Sequence, residues 1–263
     1  MKILEKIGCR IDFASAPHGR ALEKPNEDKL LIDEENGIFI ILDGVTRVHT
    51  EYERFPYESA ALTVGEIFLD QAYGYIKSHI DEPDIEQMLK SAVKLANEKI
   101  REYRETRSLE EWKFYPSTLG IISILRGNTL HYLSVGDCMA TLIRGSSKIL
   151  FGRQFSLEAV DLNNVTKQER YSTYCNHPEN HLSYTVFNGD EKVMEGLEYS
   201  FIDLHSGDVL LLASDGIASY IKYEKTSDII KQSADEIISL SARYDQPPYA
   251  EYADDKSLIK LSF

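Results

Sequence analysis

The chain has 263 residues, 43% of them hydrophobic, and a formal net charge of −14. That length holds one large domain or two small ones, with enough apolar residues for a sizeable core. The acidity argues against nucleic acid or an anionic membrane as a partner, since both are bound through clusters of Lys and Arg that displace counterions.

In chain order, apolar runs rich in Ile, Val and Leu predict strands at 29–32 and 38–42. Two helices follow. The first covers 57–80, and the second opens at Asp84, with Gln87 placed for a capping box and Ile85, Met88, Leu89, Ala92, Ala96, Ile100 and Tyr103 at helical spacing. Further strands are expected at 119–125, 130–135 and 140–144. Arg126-Gly127-Asn128 and Gly145-Ser146 read as tight hairpin connections, so neighbouring strands should be antiparallel. Residues 152–198 are polar and aperiodic and predict an irregular insertion or flap. Strands at 199–203 and 209–213, a helix over 226–243 ended by Gln246-Pro247-Pro248, and a strand at 257–262 complete the pattern. The expectation is a single α+β domain over 1–263, with helices covering antiparallel sheets.

Cys9, Cys138 and Cys175 are widely spaced, with no C-x-x-C pair. This fits a reducing compartment and excludes a zinc-ribbon or disulfide framework. No apolar signal region and no run near the roughly 18 apolar residues of a membrane span is present, so a cytoplasmic location is expected.

Aspartates recur where apolar runs end: Leu42-Asp43-Gly44, Val135-Gly136-Asp137, Ser214-Asp215-Gly216, and Asp254-Asp255 before the last strand. Glu27-Asp28 precedes the first predicted strand. Any one Asp-Gly also fits a turn. As a set, carboxylates at the ends of packed strands share one rim and repel each other unless a cation neutralises them. A set of oxygen ligands without His or Cys favours Mg²⁺ or Mn²⁺ over Zn²⁺.

These fragments, in this order, resemble the PP2C (PPM) family of metal-dependent serine/threonine phosphatases. The matching elements are Asn26-Glu27-Asp28; Leu42-Asp43-Gly44; Ser117-Thr118-Leu119-Gly120 with Val135-Gly136-Asp137-Cys138; Gly207-Asp208-Val209 through Ser214-Asp215-Gly216; and Asp254-Asp255-Lys256-Ser257. The resemblance implies two packed antiparallel sheets flanked by helices. It implies that Asp43 bridges two metal ions, Mg²⁺ or Mn²⁺, that the Gly44 carbonyl binds one, and that Asp215 and Asp254 hold the other. Glu27 and Asp28 would contribute nearby, directly or through water, and Asp137 matches the position of a third, weaker metal in some members. The implied reaction is hydrolysis of phosphoserine or phosphothreonine in a protein by water held between the two ions.

The chain departs from the family at several places. The phosphate-gripping arginine sits a few residues before Glu-Asp in most members; here Arg20 is the nearest candidate, with Arg10 behind it. Val45-Thr46-Arg47 replaces the usual Gly-Gly or His-Gly-Gly, leaving His49 as the one nearby histidine, and Cys138 stands at a usual serine, where it reads as packing. Two alternatives follow from these departures: a module that kept the fold without turnover, and a phosphatase of small metabolites.

Overall fold

The structure, a computed structural model, describes residues 3–4, 8–17, 25–45, 59–106, 116–152, 166–248 and 254–263. Eleven strands lie in these residues: β1 (Ile3–Leu4), β2 (Cys9–Ala16), β3 (Lys29–Asp33), β4 (Ile38–Val45), β5 (Ser117–Arg126), β6 (Thr129–Val135), β7 (Met139–Arg144), β8 (Ser147–Phe151), β9 (Glu198–Asp203), β10 (Val209–Ala213) and β11 (Lys256–Ser262). They form a six-stranded sheet in the order β1-β2-β11-β10-β7-β8 and a five-stranded sheet in the order β3-β4-β5-β6-β9. Every pairing is antiparallel. The two expected hairpins are present, with Arg126 opposite Thr129 and Arg144 opposite Ser147.

Side-chain alternation along the strands builds the layers. On β10, Leu210 and Leu212 join Phe39, Ile41 and Ile121 in the main core, while Val209, Leu211 and Ala213 face a second cluster on the opposite side. Helices α1 (Ala60–Ser78) and α2 (Ile85–Thr106) bury Val64, Phe68, Ala72, Met88, Leu89, Ala92 and Ala96 in that main core against the five-stranded sheet. Three short helices, α4 (Ala218–Tyr223), α5 (Thr226–Lys231) and α6 (Ala234–Ser241), bury Tyr220, Ile229 and Ile237 against the other. The order is helix, sheet, sheet, helix, as the resemblance implied.

The helix expected over 226–243 is broken, and two side-chain devices account for it. Lys260 Nζ donates to the carbonyls of Ile229, Ile230 and Gln232 at 2.9, 2.8 and 2.5 Å, ending α5. Ser233 then opens α6 with a capping box: its Oγ accepts from Glu236 N at 3.2 Å, and Glu236 Oε2 accepts from Ser233 N at 2.7 Å. At α2, Asp84 Oδ1 accepts from Gln87 N at 2.9 Å, but the Gln87 amide turns to Ser91 Oγ, so only half of the expected box forms.

Of the segment expected to be irregular, residues 153–165 lie outside the described residues. The remainder holds α3 (Lys167–Tyr174) and a 3₁₀ turn at Glu191–Gly196. Phe187 pairs in both directions with the backbone of Thr118, at 3.0 and 2.7 Å, and its ring stacks on Phe68 with centroids 4.2 Å apart. Arg104 and Asn97 of α2 bind the backbone of 188–190. Among the described residues, no helix is long and apolar enough to cross a membrane.

Candidate metal centre

Antiparallel pairing brings the acids together, because the ends of β4, β6 and β10 and the starts of β3 and β11 fall on one rim. The register sets Lys29 opposite Leu42, Asp43 opposite Leu119, Gly120 opposite Val135, and Ala213 opposite Leu258. As a result, one carboxylate oxygen from each of Asp43, Asp137 and Asp215 lies within 4.8 Å of the others, although the residues are separated by up to 172 positions (215 − 43) in the chain. All three side chains keep partial access to solvent.

Asp28 and Asp254, which the sequence also assigned to the site, are not in that group of three, although their charges act on it. Asp28 is 5% exposed; its Oδ2 accepts from Ser214 Oγ at 2.8 Å, and its backbone N–H donates to Asn26 Oδ1 at 3.1 Å. The charge of Asp254 acts on Asp28, Asp43, Asp137 and Asp215 alike. Burial, reinforced by neighbouring aspartates, pushes every one of those four carboxyls up: Asp28 to about 7, Asp137 to about 6, and Asp43 and Asp215 well above the carboxylate range. The same surroundings push the Cys138 thiol well up, with burial the main cause, so it stands in the core as a neutral group.

Glu27 has a different environment. Its side chain is fully buried and accepts a hydrogen bond from Ser59 Oγ; that hydroxyl accepts in turn from Leu62 N at 3.2 Å as the N-cap of α1. Glu27 therefore ties the rim to the start of α1. Gly44 lies hard against it: a Cβ at position 44 would come within 2.4 Å of Glu27 Cβ, so the backbone there admits only glycine. Arg10 pairs with Ser262 at the opposite end of β2 from the rim, which removes it as a phosphate ligand. Arg20, Val45's neighbours Thr46 and Arg47, and His49 lie outside the described residues.

The donor set suits hard divalent cations. Oδ1 of Asp28, Asp137 and Asp215 is buried without a hydrogen-bond partner among the described residues. Buried carboxylate oxygens are costly in that condition, and a cation coordinated by oxygen satisfies them. The sequence motifs contained Ser214 and Asp255 but not what they bind, and Ser59 stood in no motif. Ser214, Ser59 and Asp255 act on Asp28 and Glu27 across separations that only the folded chain closes.

No family model and no curated protein sequence matches this chain. Solved structures do match. The serine/threonine phosphatase PstP/Ppp of Mycobacterium tuberculosis superposes with a TM-score of 0.67 at 18% identity, covering 97% of this chain and 98% of that one. The catalytic domain of the serine threonine protein phosphatase PstP, solved with two manganese ions, gives 0.64 at 19% identity, covering 97% of each chain. MsPP, a PPM Ser-Thr phosphatase from Mycobacterium smegmatis solved with cacodylate, gives 0.60 at 16%, covering 97% of this chain and 98% of that one. The chain thus shares the fold of these serine/threonine phosphatases. At these identities the likeness is one of architecture.

Proposed function

We propose that this chain is a metal-dependent phosphatase that hydrolyses phosphoserine or phosphothreonine in a protein substrate. The observation that carries the reading is the convergence of Asp43, Asp137 and Asp215 within 4.8 Å on the rim of this fold, with buried carboxylate oxygens left unsatisfied. Asp43 and Asp215 would hold two Mg²⁺ or Mn²⁺ ions, with Asp28, Asp254 and the Gly44 carbonyl completing the set, Asp137 adding a weaker position, and Glu27 acting through Ser59. When bound, such ions lower the pKa of water toward neutrality and offset charge on the phosphoryl oxygens.

The protein's own part is placement. Asp43 and Asp215 sit at the ends of strands whose preceding residues are buried, so the backbone that carries their carboxylates is fixed by the core. The Ser214 hydroxyl fixes Asp28 by bonding one oxygen, while the other is buried without a hydrogen-bond partner among the described residues. Burial keeps the Cys138 thiol in its neutral form, which fits a packing role there, and the reading assigns the attack on phosphorus to water. Arg20 is the arginine we assign to the phosphate. Three buried cysteines in the thiol form favour a reducing compartment, and we place the protein in the cytoplasm.

The test is hydrolysis of p-nitrophenyl phosphate and of a phosphothreonine peptide with Mn²⁺, repeated with EDTA and with Asp43→Asn and Asp215→Asn. Chelation and either substitution should each lower kcat by at least about a hundredfold. Activity indifferent to EDTA would end the metal reading. Hydrolysis of small phosphoesters without phosphopeptides would move the substrate to metabolites, and Mn²⁺ binding without hydrolysis of either would make the chain a binding module.

A further inference from the structure

At one edge of the five-stranded sheet, β9 pairs with β6 and with no other strand among the described residues. Such an edge offers backbone donors and acceptors to an extended peptide. Tyr199 and Phe201 of β9 stand beside His131 of β6. Tyr199 Oη and His131 Nδ1 are 2.9 Å apart, and the His131 ring lies 6.1 Å from that of Phe201, which is 57% exposed. A groove of about 490 Å³ separates His131 and Tyr199 from the start of α2, where Pro83, Asp84, Ile85 and Glu86 form its other wall.

Carboxylates surround this groove. The charges of Glu86 and Asp84 act on the Tyr199 phenol, and that of Asp203 acts on His131. The nearby cations are engaged: Lys90 Nζ donates to Glu86 at 2.5 Å, and the Arg126 guanidinium donates to the carbonyl of Ile80. Aromatic faces beside acids suit an added guanidinium, which stacks on rings and bonds to carboxylates with one planar group. The sheet also says what would carry it there. β6 ends at the rim, with Asp137 just beyond Val135, and β9 starts beside that end, with Glu198 opposite Ser134 and Phe201 opposite His131. An extended segment lying along β9 therefore spans from the groove to the carboxylates in roughly six residues at about 3.3 Å each.

We propose that the β9 edge and its aromatic groove dock an arginine of the phosphoprotein substrate, carried on an extended segment about six residues from the phosphorylated side chain. The identity of the occupant rests on the phosphatase reading above. The experiment uses phosphothreonine peptides with a single Arg about two, six or ten residues from the phosphate, on either side, and the same peptides with Ala there. Binding is read by fluorescence anisotropy with Mn²⁺, using non-hydrolysable phosphonate versions, and turnover is read on the phosphopeptides and on p-nitrophenyl phosphate. Arg at the middle spacing should bind about tenfold more tightly than Ala and lower KM with little change in kcat. Phe201→Ser and, separately, Glu86→Gln, both solvent-accessible, should remove that preference and leave turnover of p-nitrophenyl phosphate unchanged. Equal binding of the Arg and Ala peptides overturns the proposal. So does a preference that survives both substitutions, or one that is the same at every spacing. Hydrolysis of neither the peptides nor p-nitrophenyl phosphate would end the phosphatase reading instead. The anisotropy needs no turnover, and it then upholds the groove if the arginine preference is there and overturns it if not.

Discussion

Ser214 shows how much of the rim depends on one hydroxyl. It donates to Asp28 Oδ2 at 2.8 Å and accepts from Ser257 N at 2.9 Å, joining β3, β10 and β11 with no exposed surface. Ser214→Ala leaves a buried N–H without its acceptor and should cost about 1–3 kcal/mol in urea unfolding. It also frees Asp28 to turn, so Mn²⁺ affinity in calorimetry should fall severalfold; unchanged stability and unchanged affinity together would contradict this role. Asp43, Asp137 and Asp215 were legible because each follows an apolar run, and a strand end is a place that sequence can mark. Ser59 carries no such mark, and Ser214 stood in a motif that did not show what it bonds. A buried serine reads the same as a turn serine until its partner, 186 positions away in the case of Asp28, is known.

The strands were legible where they are apolar on both faces, as in β4 and β5, whose apolar runs 38–42 and 119–125 are buried throughout. β2 was missed because its buried positions are the small residues Cys9 and Ala14 around a single Ile11, and its existence rests on pairing with β11. β8 was missed although its hairpin was read, since only β7 flanks it and Ile149 and Leu150 remain exposed. The helix expected over 226–243 failed for another reason: hydrophobic periodicity runs on through 226–241, and the break is imposed by Lys260 from a different strand. Ser233→Ala should therefore lower stability by about 1 kcal/mol through loss of the α6 cap, measured by denaturant unfolding. Mn²⁺ affinity should stay unchanged, because α6 packs on the outer face of the sheet; a matching loss of affinity would show that the outer helices reach the rim.

For the molecule as a whole, the raised carboxyls make metal-free stability depend on pH with a defined sign. Asp28 and Asp137 hold protons in the folded state up to about 7 and about 6, whereas an unfolded carboxyl releases its proton near 3.8. The folded state therefore binds more protons over that interval, and metal-free stability should fall as pH rises through it. Cations favour the ionised form, so the increase in Tm given by Mn²⁺ should be larger at about pH 8 than at about pH 5. Thermal melts with and without Mn²⁺ at the two values check this, and an equal increase at both would count against a carboxylate site. Asp255 bonds toward Glu27, while Lys256, the next residue, sends its Nζ to Ser241 at 3.0 Å and to both oxygens of Asp245 at 2.6 and 2.7 Å in the outer layer. Opposite charges one step apart thus point to opposite sides of the sheet. A shift of β11 by a single residue would carry an ammonium into the acidic rim and a carboxylate beneath the helices, so the pair acts as a key that lets the chain close in one alignment.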